Sequence, residues 1–137
     1  MAAFTVIDHT ELAGSAASWT EASIAASYDH LYLVLSTRTD QSAYQSNIYV
    51  NFNGDTGTNY SETQLYAGTA TPASYRASGQ TKLQYGAYAT GASVLADTFS
   101  STTMWIPNYA NTANFKQTLT SSVSPNNSST DSQWLVN

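Results

Sequence analysis

His9 and Glu11 are the first residues of this chain whose types and spacing could do chemistry. Lying two apart, an imidazole and a carboxylate share one side of an extended strand, where they could bind a metal ion or exchange a proton. A zinc site needs three or four ligands, and His30 is the one other histidine. We therefore interpret the pair as the solvated end of a strand.

A second candidate is the stretch 53–59, which could bind calcium. Asn53, Asp55 and Asn59 supply oxygen atoms at alternate positions, as calcium loops do. The stretch has one carboxylate, however, and it lacks the distal bidentate glutamate of such loops. Its Asn-Gly dipeptide is also typical of a hairpin turn, which explains the stretch at least as well.

Groups for catalysis are sparse. The chain has 19 serines, so a pairing of a serine with a histidine and an aspartate on paper carries no information, and no Gly-x-Ser-x-Gly motif occurs. The nine Asp and Glu residues are scattered, with no recognisable carboxylate pair for glycoside cleavage. We expect no enzymatic activity, no cofactor and no metal.

Aromatic residues are the remaining candidates for ligand binding. Trp19, Trp105 and Trp134, together with ten tyrosines, could stack on sugar rings as in carbohydrate-binding modules. In a chain with 9% charged residues, aromatic side chains more often fill a core or a protein interface. We favour the second interpretation.

Composition narrows the class of protein further. The 137 residues fit one domain, and the absence of cysteine excludes a disulfide scaffold and a thiolate metal site. The net charge is −5 and the four basic residues are spread along the chain, so we expect no nucleic-acid partner. No apolar stretch is long enough to span a membrane as a helix, and we expect no membrane partner.

Two runs with a period of two organise the chain. In residues 30–38, Leu31, Leu33 and Leu35 share one strand face, and Leu33 is expected to be buried. In residues 47–53, Ile48, Val50 and Phe52 face the core and Tyr49 faces solvent. We expect these two strands to form the centre of a sheet.

The rest of the chain favours short strands joined by turns. We predict strands near residues 4–8, 18–24, 60–67, 82–88, 98–106, 115–123 and 133–136, and a long surface loop over residues 68–79. About eight short strands without an alternating helical pattern indicate an all-β protein, an antiparallel β-sandwich of jelly-roll type. We expect a single domain over residues 1–137 whose last strand is incomplete, either because the chain is truncated or because a neighbouring chain supplies the final strand.

Several of these segments resemble a known family. The chain is similar to small virion proteins of tailed bacteriophages over most of its length, roughly from Phe4 to Trp134. The resemblance lies in strand and turn motifs at residues 29–38 (DHLYLVLSTR), 48–55 (IYVNFNGD), 59–61 (NYS), 64–66 (QLY) and 104–109 (MWIPNY).

The resemblance implies a jelly-roll-like structural protein located in the virion. We expect a head decoration or cement protein that bridges neighbouring capsomers and binds the major capsid protein or other virion proteins. The alternative is a tail or fibre module that binds a host surface glycan. We expect a homo-oligomer, with a trimer as the first guess, and an interface that uses the apolar residues near both ends of the chain: Phe4, Val6, Trp134, Leu135 and Val136.

Overall fold

The protein is all-β in the part that the structure describes. This structure, a computed structural model, describes residues 4–68 and 71–126 and the backbone of residues 133–136. The described residues contain no helix, and every pair of neighbouring strands is antiparallel, which confirms the predicted fold class. The jelly-roll connectivity stays a prediction. The strands are β1 (Leu31–Leu35), β2 (Gln45–Val50), β3 (Tyr60–Ala67), β4 (Ala73–Gln80), β5 (Leu83–Thr90), β6 (Ser101–Ile106), β7 (Leu119–Ser124) and β8 (Gln133–Val136).

The strands form two sheets of unequal size. A six-stranded sheet has the order β1-β6-β7-β8-β3-β4, and a two-stranded sheet pairs β2 with β5. The expectation that the runs at 30–38 and 47–53 form the centre of one sheet is therefore wrong. β1 is an edge strand of the larger sheet, while β2 belongs to the smaller one, because each pairs with a strand more than 30 residues away in sequence.

The smaller sheet covers the middle of the larger one. β5 packs on β7 and β3, and its residues from Gly86 to Thr90 are all buried. Met104 and Ile106 from β6 and Tyr60 from β3 reach the same interior. The predicted strand faces hold, since Leu31, Leu33 and Leu35 are half-buried and Tyr49 is exposed. Leu33 is less buried than we expected, because β1 lies at the sheet edge.

The interior between the sheets is rich in hydroxyl groups. Strand β7 buries Thr120, Ser122 and Ser124 and exposes its apolar residues. Burying a hydroxyl group costs free energy unless it is hydrogen-bonded. Ser122 Oγ lies 2.6 Å from Thr102 Oγ1 and accepts a hydrogen bond from the Tyr88 backbone N–H at 3.0 Å, whereas Thr120 Oγ1 is buried without a partner among the described residues. Hydrogen bonds between hydroxyl and backbone groups thus tie the two sheets together where apolar contact is thin.

Three local predictions are wrong. Residues 4–8 and 18–24 form no strand, because no neighbouring strand of the described chain pairs with them. Residues 68–79, predicted as a surface loop, include most of β4 in the described part. Strand β4 pairs with β3 over Tyr66↔Ala73 to Tyr60↔Gln80, and the small residues fit an edge strand that needs little packing.

The C-terminal strand is also placed differently from the prediction. An incomplete, open edge was expected at residues 133–136. Strand β8 instead lies inside the larger sheet, paired with β7 on one side and β3 on the other. Its backbone is therefore satisfied within the chain, and the argument that this edge recruits a partner does not hold. The side chains of Trp134, Leu135 and Val136 lie outside the described part.

Alkaline pH should destabilise the sandwich through Tyr88. Burial raises the pKa of this phenol to about 12, from an ordinary value near 10. The folded state therefore holds the proton more tightly than the unfolded state. The resulting contribution to the free energy of unfolding is complete below pH 10 and is lost as the pH rises towards 12. We expect the urea midpoint to fall over that interval. Tyr88→Phe, which has no proton to lose, should show a smaller fall, and an identical fall in both proteins would contradict this assignment.

Candidate functional site

The outward face of the six-stranded sheet is the candidate functional site. In β1, β6 and β7 the apolar side chains that alternate with the buried ones point away from the smaller sheet. We call this surface the outer face, and its exposed apolar residues are Tyr32, Val34, Leu65, Trp105, Leu119 and Val123.

The strand register brings these residues together. Tyr32 is opposite Trp105, and Trp105 is opposite Leu119, so three large apolar side chains form one row across β1, β6 and β7. Val34 lies in the next row of the same face, and Val123 lies one row farther, opposite Ser101. Residues directly opposite in antiparallel strands have neighbouring side chains, and the row is therefore a continuous apolar strip.

Period-two geometry explains why the strip is exposed. A strand that turns Thr102, Met104 and Ile106 inward must turn Thr103 and Trp105 outward. Trp105 keeps 43% of its surface exposed, and Tyr32 keeps 53%. Contiguous exposed apolar patches commonly mark interaction surfaces.

His30 holds the middle residue of the strip, Trp105, in place. Its ring packs edge-on against Trp105 with 6.0 Å between centroids, and its Nδ1 accepts a hydrogen bond of 3.0 Å from the Asn108 backbone N–H. These contacts hold the imidazole in place and limit the rotation of the indole. His30 therefore has a positioning role at the surface, and the described contacts give it no acid–base partner.

Charge is nearly absent from the outer face. Strands β1, β6 and β7 carry no Asp, Glu, Lys or Arg. Arg38, which follows β1, donates to the backbone carbonyls of Val94, Leu95 and Thr98 at 2.9 to 3.0 Å, and it serves to hold that loop. The outer face is thus suited to apolar contact and hydrogen bonding with another macromolecule and poorly suited to binding polyanions.

The chemical candidates from the sequence do not assemble into a site. His9 and Glu11 are both exposed, and the described residues contain no group of three or more His, Cys, Asp or Glu that could hold a metal ion. In the 53–59 stretch, the Asp55 carboxylate accepts hydrogen bonds from the Gly57 N–H and the Asn59 amide. These bonds, the Asn59 amide first, lower the pKa of Asp55, and the carboxylate closes a turn.

An open groove lies at the loop after β6, where this loop meets the N-terminal segment at Ile24 and Ala26. It has a volume of about 370 Å³, and its lining includes Asn53, Tyr109, Asn111, Asn114 and Lys116. The Tyr109 hydroxyl donates to the Ile24 carbonyl at 3.0 Å and to Ala25, so it fastens the N-terminal segment to this loop. The amide-rich lining offers hydrogen bonds without net acidity.

The predicted interface residues that the structure describes, Phe4 and Val6, have different surroundings. Phe4 lies against Tyr32, with ring centroids 6.0 Å apart, and Val6 is largely exposed to solvent. Trp105, one of the candidate sugar-stacking residues, is the middle residue of the apolar row. Trp19 Nε1 donates a hydrogen bond to Thr10 Oγ1, and the Trp19 ring makes no described contact with Trp105. Leu119 and Val123 were not identified as surface residues, since an apolar strand face in sequence is expected to point inward.

Comparisons with known proteins assign this chain to no family. No protein-family model, no curated protein and no solved structure matches the chain. Among the residues that the structure describes, no helix is long and apolar enough to cross a membrane. The function is therefore argued from the outer face and from the residues around it.

Proposed function

We propose that this protein is a structural protein of a bacteriophage virion, a head decoration or cement protein that binds the major capsid protein and bridges neighbouring capsomers. It acts by binding and performs no chemistry. The observation that carries the proposal is the outer face, with its apolar and uncharged strip across β1, β6 and β7. The similarity of its strand and turn motifs to virion proteins supports the same conclusion.

The outer face fits the demands of a cement protein. Its Tyr and Trp side chains are the types that supply most binding energy at protein interfaces. Exposed Ser and Thr residues around them, such as Thr63, Ser101 and Ser121, can complete a polar rim. Each contact can be modest, because repetition over a closed symmetric shell multiplies the effect through effective concentration.

A tail or fibre module that binds a host glycan is the second candidate, and the groove favours it. Neutral amide side chains such as Asn111 and Asn114 suit the hydroxyl groups of a sugar, and Phe115 beside them is highly exposed. The two candidates use different surfaces, the outer face for the shell and the groove for the glycan. Variants on one surface should therefore leave the other function intact.

Removal of the protein from the phage tests the proposal. Particles that lack it should assemble with normal geometry but release their DNA at a lower temperature than complete particles. Adding back the purified protein should restore the original temperature. If the deficient particles are equally heat-resistant and fail to adsorb to host cells, the cement function is wrong and the glycan-binding function replaces it.

A further inference from the structure

The N-terminal segment has the sequence of a strand but pairs with no strand of the described chain. Residues 4–8 (FTVID) contain β-branched and aromatic residues with Phe4 and Val6 on one side, yet they form no strand in the described chain. Phe4 is 79% exposed and Val6 is 80% exposed. Segments of this kind add to the edge of a sheet when one is available.

The segment is long and loosely held. The first backbone attachment to the body of the protein is at Ile24 and Ala25, which the Tyr109 hydroxyl binds. Before that point the described hydrogen bonds of the segment are internal, such as Trp19 to Thr10 and Thr10 to Asp8. A stretch of roughly 15 residues between positions 8 and 24 can span up to about 50 Å when extended. Its acidic residues, including Glu11 and Glu21, favour an extended state.

Strand β1 offers an open edge. It pairs with β6 on one side, and no described strand covers its other side. Natural edge strands are commonly protected by lysine, proline or a bulge, and the sequence LYLVL of β1 contains none of these protecting residues. At the opposite edge of the sheet, β4 carries Arg76. The edge of β1 is therefore the less protected of the two.

We propose that residues 4–8 of one copy add as a strand to the open edge of β1 in a second copy. The contact between Phe4 and Tyr32 points to this edge, because it places the Phe4 ring at the end of the row formed by Tyr32, Trp105 and Leu119. An added strand would lay Phe4 and Val6 beside Tyr32 and Val34, since both pairs have the two-residue spacing of one strand face. The apolar row of the outer face then continues across the boundary between two copies.

We assign the added strand to a second copy because residues 4–8 of the same chain form no described backbone pairing with the open edge of β1. Within one chain Phe4 reaches Tyr32, but no backbone hydrogen bond is described between residues 4–8 and β1, and both apolar side chains stay exposed. Reciprocal addition between copies forms two such pairings in one association. Exchange of an identical element between copies is a low-cost route to a closed oligomer. This association does not depend on the virion function.

A photocrosslinker at position 4 tests the exchange. Benzoyl-phenylalanine in place of Phe4 preserves the aromatic ring, and equal amounts of ¹⁵N-labelled and unlabelled protein are mixed, equilibrated and irradiated. Mass spectrometry then identifies the crosslinked peptides and their isotope content. We expect crosslinks to the peptide that contains β1, with about half of them joining a labelled to an unlabelled chain, as random pairing of copies requires.

The same replacement at Phe115 is the matched control. This phenylalanine is 89% exposed but lies outside the N-terminal segment, and it should give no preferred crosslink to β1 of another copy. Crosslinks from position 4 that join only chains of the same isotope would show that the segment stays with its own chain, and the proposal would be wrong. Crosslinks to no β1 peptide, or a pattern equal to that from position 115, would also overturn it.

Discussion

Replacing Tyr32 and Trp105 by alanine is expected to release the protein from phage heads without unfolding it. The two residues are neighbours in one row of the outer face, and each is about half exposed before binding. Truncation of an aromatic anchor at the centre of an interface costs about 2 kcal/mol or more, which is roughly a 30-fold loss of affinity for each residue. Binding to heads that lack the protein, measured by sedimentation with labelled protein, gives the affinities.

Tyr49→Ala is the matched control for this experiment. Tyr49 is 54% exposed, like Tyr32 at 53%, but it belongs to the two-stranded sheet, where Lys82 Nζ lies 3.7 Å from its ring centroid. This variant should bind heads as the unchanged protein does. Equal losses for Tyr49→Ala and Tyr32→Ala would show that the outer face is not the contact surface. Because β1, β6 and β7 lack charged residues, the affinity of the unchanged protein should vary little with salt.

Among the described glycines, Gly91 is the one whose replacement by alanine is expected to destabilise the protein most. A Cβ at this position would lie 1.9 Å from the Ala43 carbonyl oxygen and 2.6 Å from its carbon, and both are backbone atoms that cannot rotate away. The Gly91 N–H also donates to the Tyr44 carbonyl at 2.9 Å, so the two segments cannot separate without losing this bond. We expect a loss of roughly 3 kcal/mol or more, a large part of the stability of a small domain.

Chemical denaturation followed by tryptophan fluorescence measures this loss. Gly14→Ala is the matched control, because a Cβ there has no atom within 4 Å. The control should unfold within about 0.5 kcal/mol of the unchanged protein, as is usual for exposed positions. Similar midpoints for the two alanine variants would mean that the segment around Ala43 does not approach Gly91 as closely as described.

The substitutions at Gly91 and on the outer face separate folding from binding. Gly91 lies in the connection between β5 and β6 and contacts the segment before β2, away from the residues of the outer face. Its substitution should abolish binding only by unfolding the chain. The Tyr32 and Trp105 substitutions should abolish binding in a protein whose thermal transition is retained.

Much of the local structure follows from the sequence. The alternation in LYLVL and NIYVNF predicts strands and the correct faces for Leu31, Leu33 and Tyr49, because successive side chains of a strand point to opposite sides. The all-β class follows in the same way, whereas β4 was predicted as a loop and residues 18–24 form no strand. Residues 4–8 show the limit of this reasoning, since their weaker alternation also predicts a strand but no described strand pairs with them.

What the sequence could not determine is the pairing of distant strands, and the candidate site depends on it. The apolar row exists only because β1, β6 and β7 are neighbours, and Leu119 in β7 is 88 residues beyond Leu31 at the start of β1. In β7 the sequence pattern places Leu119 and Val123 on one strand face without fixing the side to which that face points. The tertiary structure turns this face outward, and Ser122 on the opposite face finds hydrogen-bond partners on Thr102 and Tyr88 in the interior, which offset the cost of burying its hydroxyl group.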